Sequence, residues 1–103
     1  MAALPGSCYA QMMAKRFDNQ VVWITGGGSG IGRALALAFA DEGAAVAVSG
    51  RREDRLQHVV EKVEERGAKG LAVRCDVTDE ASVAEAVRKV VRTFGGLDVA
   101  VAN

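Results

Sequence analysis

A cluster of five glycines near the start of the chain limits the folds that this chain can adopt. The five fall within seven residues, at Gly26, Gly27, Gly28, Gly30 and Gly32. An apolar run over residues 21–24 precedes them and a helical pattern follows. Strand, glycine turn and helix together can hold a phosphate, because backbone N–H groups approach the anion and the helix N-terminus adds partial positive charge. A purely structural turn is the alternative, but so many glycines lose much backbone entropy on folding.

From residue 20 onward, apolar runs alternate with amphipathic segments. The pattern predicts strands over residues 21–25, 44–49, 71–75 and 97–102, and helices over residues 31–41 and 53–66. A third helix is predicted to begin near Asp79, with an apolar stripe made of Val83, Val87, Val90, Val91 and Phe94. This alternation is typical of a parallel sheet covered on both faces. We predict an incomplete Rossmann-type, doubly wound α/β sheet with the strand order 3-2-1-4.

The spacing of the glycines is distinctive. The common dinucleotide fingerprint Gly-x-Gly-x-x-Gly is absent, and the chain carries Thr25-Gly26-x-x-x-Gly30-x-Gly32 instead. Asp76 and Val77 follow the third predicted strand, and residues 97–103 read Leu-Asp-Val-Ala-Val-Ala-Asn. These three motifs, in this order, resemble the main, non-extended branch of the short-chain dehydrogenase/reductase family over residues 15–103. The last motif is similar to the family's Asn-Asn-Ala-Gly segment, with alanine in place of its first Asn.

The resemblance implies a dinucleotide site at the carboxyl edge of the sheet. In the glycine turn the implied cofactor-binding residues are Thr25, Gly26, Gly28, Ser29, Gly30, Ile31 and Gly32. Asp76 and Val77 would lie against the adenine ring, and Asn103 would brace the turn beside a cofactor ribose. Asp76 could instead be a turn or helix-cap residue, and Asn103 a terminal loop residue.

The end of the second strand bears on which dinucleotide binds. NAD-binding folds place an acidic residue there for the ribose 2′-OH, whereas a nearby Arg accommodates the 2′-phosphate of NADP. Gly50 occupies the acidic position here, and Arg51 follows at once. We therefore expect NADP, with NAD less favoured. Arg51 and Arg52 could instead be a solvated pair, and Arg33 could be surface charge alone.

The family's catalytic residues cannot be located in this chain. The resemblance implies hydride transfer to or from a carbonyl or alcohol, with a Tyr-x-x-x-Lys motif and an upstream Ser and Asn. The only tyrosine is Tyr9, and Met13 stands where the lysine should be. We expect a fragment that carries the cofactor site, is inactive alone and forms homo-oligomers when complete. A non-catalytic nucleotide-binding or interaction module is the alternative, and a methyltransferase a weaker one; the reading frame beyond Asn103 would separate the first two.

Composition narrows the remaining possibilities. Lys+Arg 13 against Asp+Glu 13 gives a formal net charge of zero, which argues against nucleic-acid or anionic-membrane partners bound by bulk charge. Two cysteines, Cys8 and Cys75, are expected to be reduced thiols of a cytoplasmic protein, and the single histidine, His58, predicts no metal site. Residues 1–19 are expected to be a leader before a domain over residues 20–103, with translation starting at Met1, Met12 or Met13.

Overall fold

The computed structural model describes residues 17–103. The expected leader therefore lies almost wholly outside the described residues, together with Cys8, Tyr9 and the three alternative start positions. In the described part of the chain, no helix has the length and apolar character needed to cross a membrane.

Within residues 17–103, four strands alternate with three helices, as the sequence predicted. The strands are β1 (Val21–Thr25), β2 (Ala45–Gly50), β3 (Gly70–Arg74) and β4 (Val99–Val101). The helices are α1 (Gly30–Asp41), α2 (Glu53–Glu65) and α3 (Glu80–Phe94). The predicted cap of the last helix is present, because the Asp79 side chain accepts a hydrogen bond from the Ala81 N–H.

The fourth strand is shorter than predicted. It was expected over residues 97–102, but the ladder covers only Val99–Val101. At its start, the Val21 N–H donates to the Asp98 side chain at 2.8 Å. At its end, the Asn103 N–H donates to the Thr25 hydroxyl at 3.2 Å. Side-chain oxygens at both ends thus accept bonds that ladder carbonyls would otherwise take.

All strand pairs in this sheet are parallel, in the order β3-β2-β1-β4. The predicted topology is therefore confirmed. Val22 pairs with Val46 on one side and with Val99 on the other. Because every strand runs the same way, the residues that follow their carboxyl ends share one edge of the sheet.

Two apolar layers cover the sheet, one on each face. Val22 and Ile24 point into the layer formed with α1 and α2. Val21 and Trp23 point into the layer formed with α3. A strand buried on both faces needs a continuous apolar run, which is what residues 21–24 supply.

The apolar stripe of α3 differs from the prediction at one position. Val91 was assigned to the stripe, but 41% of its surface is exposed. Val90 is fully buried and the neighbouring inward position is taken by Ala86. Successive helical residues turn by about 100°, so a helix that buries Val90 directs Val91 towards solvent.

One buried polar contact links the two central strands. The Trp23 indole N–H donates to the Ser49 hydroxyl at 2.6 Å, and Ser49 is fully buried. Ser49→Ala would leave the indole N–H without an acceptor, so we expect urea unfolding to show a loss of about 1–3 kcal/mol. In a Trp23→Phe background the same substitution should cost much less. An equal cost in both backgrounds would mean that the hydrogen bond does not stabilise the fold.

Candidate nucleotide-binding site

The glycine turn connects the end of β1 to the start of α1. Gly26 has a φ of 67°, in the left-handed region that favours glycine. The Gly27 N–H donates to the Ser49 carbonyl at 3.0 Å, which fixes the turn against β2. Beyond it, Gly30 and Ile31 open α1, and N–H groups in the first turn of a helix have no carbonyl to bond within that helix. These groups are available to an anion.

Two glycines of the turn have contrasting surroundings. A Cβ on Gly32 would lie 2.2 Å from the Gly26 carbonyl oxygen, closer than atoms can approach. A Cβ on Gly30 would meet no protein atom within 4 Å among the described residues. Gly32 therefore allows the helix to pack on the turn, whereas the space beside Gly30 is open to a ligand.

Asn103 holds the turn from the neighbouring strand. Its side-chain amide donates to the Gly26 carbonyl and to the Ser29 hydroxyl, each at 3.2 Å. The Ser29 hydroxyl in turn donates to the Gly26 carbonyl at 2.9 Å. The Thr25 hydroxyl accepts from the Asn103 N–H and donates to the Val101 carbonyl at 3.4 Å. The amide thus links the end of β4 to the turn that follows β1, rather than lying as a detached loop residue.

Arg51 and Asp76 meet across the ends of β2 and β3. An Arg51 guanidinium nitrogen lies 3.4 Å from a carboxylate oxygen of Asp76, at an exposed position. The same oxygen accepts the Thr78 hydroxyl at 2.6 Å and the Thr78 N–H at 3.0 Å. These bonds from Thr78, and then the nearby Arg51 charge, hold the pKa of the Asp76 carboxyl below its usual value. Asp76 therefore stays ionised at neutral pH, and it forms a local turn while Asp79 caps α3.

A cavity of about 130 Å³ lies between the glycine turn and the start of α2. Its lining residues are Gly26, Gly28, Ser29, Gly50, Arg51, Arg52, Arg55 and Leu56. A larger cavity of about 340 Å³ opens near Gln20 and Ala45, at the amino edge of the sheet. Sheets of this kind bind ligands at the carboxyl edge, so we assign the candidate site to the smaller cavity.

Sequence reasoning did not single out Arg55. A Cβ on Gly28 would lie 3.2 Å from the Arg55 Cβ, so the base of this side chain rests against the turn. A signal was present in the sequence, because α2 begins three residues after β2 ends and its first turn must lie beside the glycines.

The other residues that the sequence analysis named differ in their distance from the carboxyl edge of the sheet. Ile31 and Val77 are largely exposed at the carboxyl edge of the sheet. Arg33 lines a separate cleft with Gly28 and Arg55, and the exposed His58 lies there too. Cys75 is a buried free cysteine. Within residues 17–103 no group of three His, Cys, Asp or Glu side chains could hold a metal ion.

Comparison with known proteins finds the family that the sequence motifs resemble. The short chain dehydrogenase family model matches residues 20–103. A 3beta-hydroxysteroid dehydrogenase of Mediterraneibacter gnavus is 44% identical over 88 residues, covering 85% of this chain and 32% of that protein. A glucose 1-dehydrogenase of Gluconobacter oxydans is 43% identical over 89 residues, covering 85% and 34%. The chain spans about a third of the length of these curated relatives.

Solved structures share the fold. A hydroxysteroid dehydrogenase from Escherichia coli matches with a TM-score of 0.83 at 34% identity, over 91% of this chain and 39% of that one. An NAD+-bound xylitol dehydrogenase matches with a TM-score of 0.81 at 38% identity, over 84% and 33%. Together with the family model, these matches show that the chain belongs to the short-chain dehydrogenase/reductase family.

Proposed function

We propose that this chain is the cofactor-binding part of an NADP-dependent oxidoreductase that transfers hydride between the nicotinamide and a carbonyl or alcohol. The observation that carries the proposal is the placement of Arg51 beside the glycine turn, next to the position where an acidic residue would select NAD. A guanidinium makes charge-assisted, bidentate hydrogen bonds to a phosphate. The 2′-phosphate is the group that separates NADP from NAD.

The described residues fit such a cofactor. The N–H groups around Gly30 would hold the pyrophosphate, since the space beside that glycine is open. Arg51 would hold the 2′-phosphate, and Asp76 with Val77 would line the adenine pocket. Asn103 would keep the turn in shape, through its bonds to the Gly26 carbonyl and Ser29. Thr25 would anchor Asn103 in turn.

The chemistry of the bound cofactor is hydride donation or acceptance at its nicotinamide ring. This chain's residues would bind and orient the adenine and phosphate end, while catalytic Ser, Tyr and Lys side chains would come from a part of the protein beyond residue 103. We further propose a small-molecule substrate, a homo-oligomeric assembly and a cytoplasmic location. The zero net charge supports a small-molecule partner over a nucleic acid.

The test uses a chimera in which residues 20–103 of this chain continue into the remaining segment of the Escherichia coli hydroxysteroid dehydrogenase. Arg51→Ala should weaken NADP binding by roughly ten- to hundredfold and leave NAD binding nearly unchanged, because only NADP presents a charged group there. Calorimetry at one fixed ionic strength would measure both dissociation constants, since salt screens the contact. Equal losses for both cofactors would contradict the proposed role of Arg51.

A matched control is Arg52→Ala. Arg52 pairs with Asp54 at 3.7 Å. Replacing Arg52 by alanine removes the same formal charge as Arg51→Ala, at the adjacent position. Its substitution should change the NADP to NAD ratio much less than that of Arg51. Hydride transfer from NADPH by the chimera would show that this chain presents the cofactor to a catalytic segment, whereas a chimera that binds NADPH without transferring hydride would favour the binding module.

A further inference from the structure

We infer that Arg55, which lines the cavity beside the glycine turn together with Arg51, is a second specificity-determining residue for the 2′-phosphate. This inference rests on the proposed function, because it assigns a further ligand to the same phosphate. Arg55 lies in the first turn of α2, four residues after Arg51. Both side chains line the cavity of about 130 Å³, with Gly28, Ser29 and Gly50 as its backbone wall.

Packing fixes where the Arg55 side chain starts. Its Cβ lies 3.2 Å from the position that a Gly28 Cβ would occupy, so a side chain at residue 28 would crowd it. On the turn side the cavity is lined by Gly26, Gly28 and Ser29, which leave room for a ligand. A phosphate there would lie beside both Arg51 and Arg55, which line the same cavity.

The charges around the cavity are not equivalent. Arg51 is paired with Asp76 and Arg52 with Asp54. The Arg55 side chain takes part in no hydrogen bond or ion pair with any residue of the described range 17–103. Two carboxylates thus already offset part of the charge of Arg51 and Arg52, and the guanidinium of Arg55 keeps its full donor set for a ligand.

Phosphate is the ligand chemistry that two guanidinium groups recognise best. Each presents several N–H donors in a fixed plane, and a phosphate monoester offers three acceptor oxygens that can be shared between them. A ribose hydroxyl has neither the charge nor the number of oxygens to engage both. Arg55 therefore adds to the preference for NADP without adding to the binding of NAD.

The test compares two probes that differ only in this group, adenosine 2′,5′-bisphosphate and adenosine 5′-monophosphate. Dissociation constants for the 103-residue chain would be measured by NMR titration at fixed ionic strength. Arg55→Met, which keeps an unbranched apolar stem against the turn, should weaken the bisphosphate about tenfold and change the monophosphate less than twofold. Arg55→Lys should recover part of the loss, because it restores the charge without the planar donors.

Arg33→Ala is the matched control. Arg33 also lies near Gly28, but it lines only the neighbouring cleft, whereas Arg55 lines both that cleft and the cavity of Arg51. If Arg55 contacts the phosphate, its substitution should lower the ratio of the two affinities several times more than that of Arg33. If both substitutions changed the ratio of the two affinities equally, the effect would come from the overall positive charge and not from a contact of Arg55. That result would overturn the inference.

The outcomes separate this inference from the proposed function. The parent chain could prefer the bisphosphate, lose that preference with Arg51→Ala and keep it with Arg55→Met. This result would overturn only the role of Arg55. A parent chain that binds both probes equally would overturn the NADP assignment and with it the role of both arginines. Loss of binding of both probes in Arg55→Met would make Arg55 a support of the turn, and would also overturn the inference.

Discussion

Gly32→Val in the chimera should abolish the binding of both NADP and NAD. The added Cβ would stand 2.2 Å from the Gly26 carbonyl oxygen and 2.9 Å from the Asn103 side-chain nitrogen. The first contact is with backbone, which cannot rotate away as a flexible side chain can. The turn must therefore open, and the N–H groups that would hold the pyrophosphate lose their arrangement. Calorimetry would detect no binding at cofactor concentrations that saturate the parent.

Gly30→Val separates the ligand contact from the packing contact. No protein atom of the described chain lies within 4 Å of a Cβ at this position, so the variant should unfold in urea like the parent and still lose cofactor binding. Gly96→Ala, also in open space but after α3, should change neither property. Cofactor affinities within twofold of the parent for Gly30→Val would remove the turn from the proposed site.

Gly50→Asp combined with Arg51→Ala should reverse the cofactor preference. A Cβ at residue 50 would lie 3.5 Å from a Leu56 methyl group, an ordinary contact, so the new side chain fits. Its carboxylate accepts the ribose 2′-OH of NAD and repels the 2′-phosphate of NADP. Removing Arg51 also takes away the positive charge beside the ionised Asp76, which adds to the repulsion.

Between the parent and the double variant, the ratio of the dissociation constants for NADP and NAD should change by a factor on the order of a hundred. It is measured for both cofactors at the same ionic strength. Arg51→Ala alone should give an intermediate ratio, since it removes the attraction without adding the repulsion. A double variant that still prefers NADP would contradict the assignment of the 2′ position to residues 50 and 51.

The elements of this fold could be predicted because each carries a local pattern. The apolar run of β1 and the helical spacing of Leu56, Val59, Val60 and Val63 in α2 are visible in the sequence, and all four of these side chains are buried. The strand order followed from the handedness of the crossovers. Local pattern failed at β4, where Asp98 binds the Val21 N–H, a contact between residues 77 positions apart.

Some features of the candidate site could also be predicted from the sequence, and others could not. The glycine turn and Asn103 were identified through the motifs that resemble the short-chain dehydrogenase/reductase family. The ion pair between Arg51 and Asp76 depends on which strands become neighbours. Such contacts between distant parts of the chain leave no periodic signal, so they became visible only with the fold.

The measurement that bears most directly on the proposed function is the pair of dissociation constants of the parent chimera for NADP and NAD. Both would be determined by calorimetry on one preparation at fixed ionic strength. We expect NADP to bind roughly ten- to hundredfold more tightly, because the arginines beside the glycine turn contact a phosphate that NAD lacks. A parent chimera that binds NAD more tightly than NADP would contradict the account.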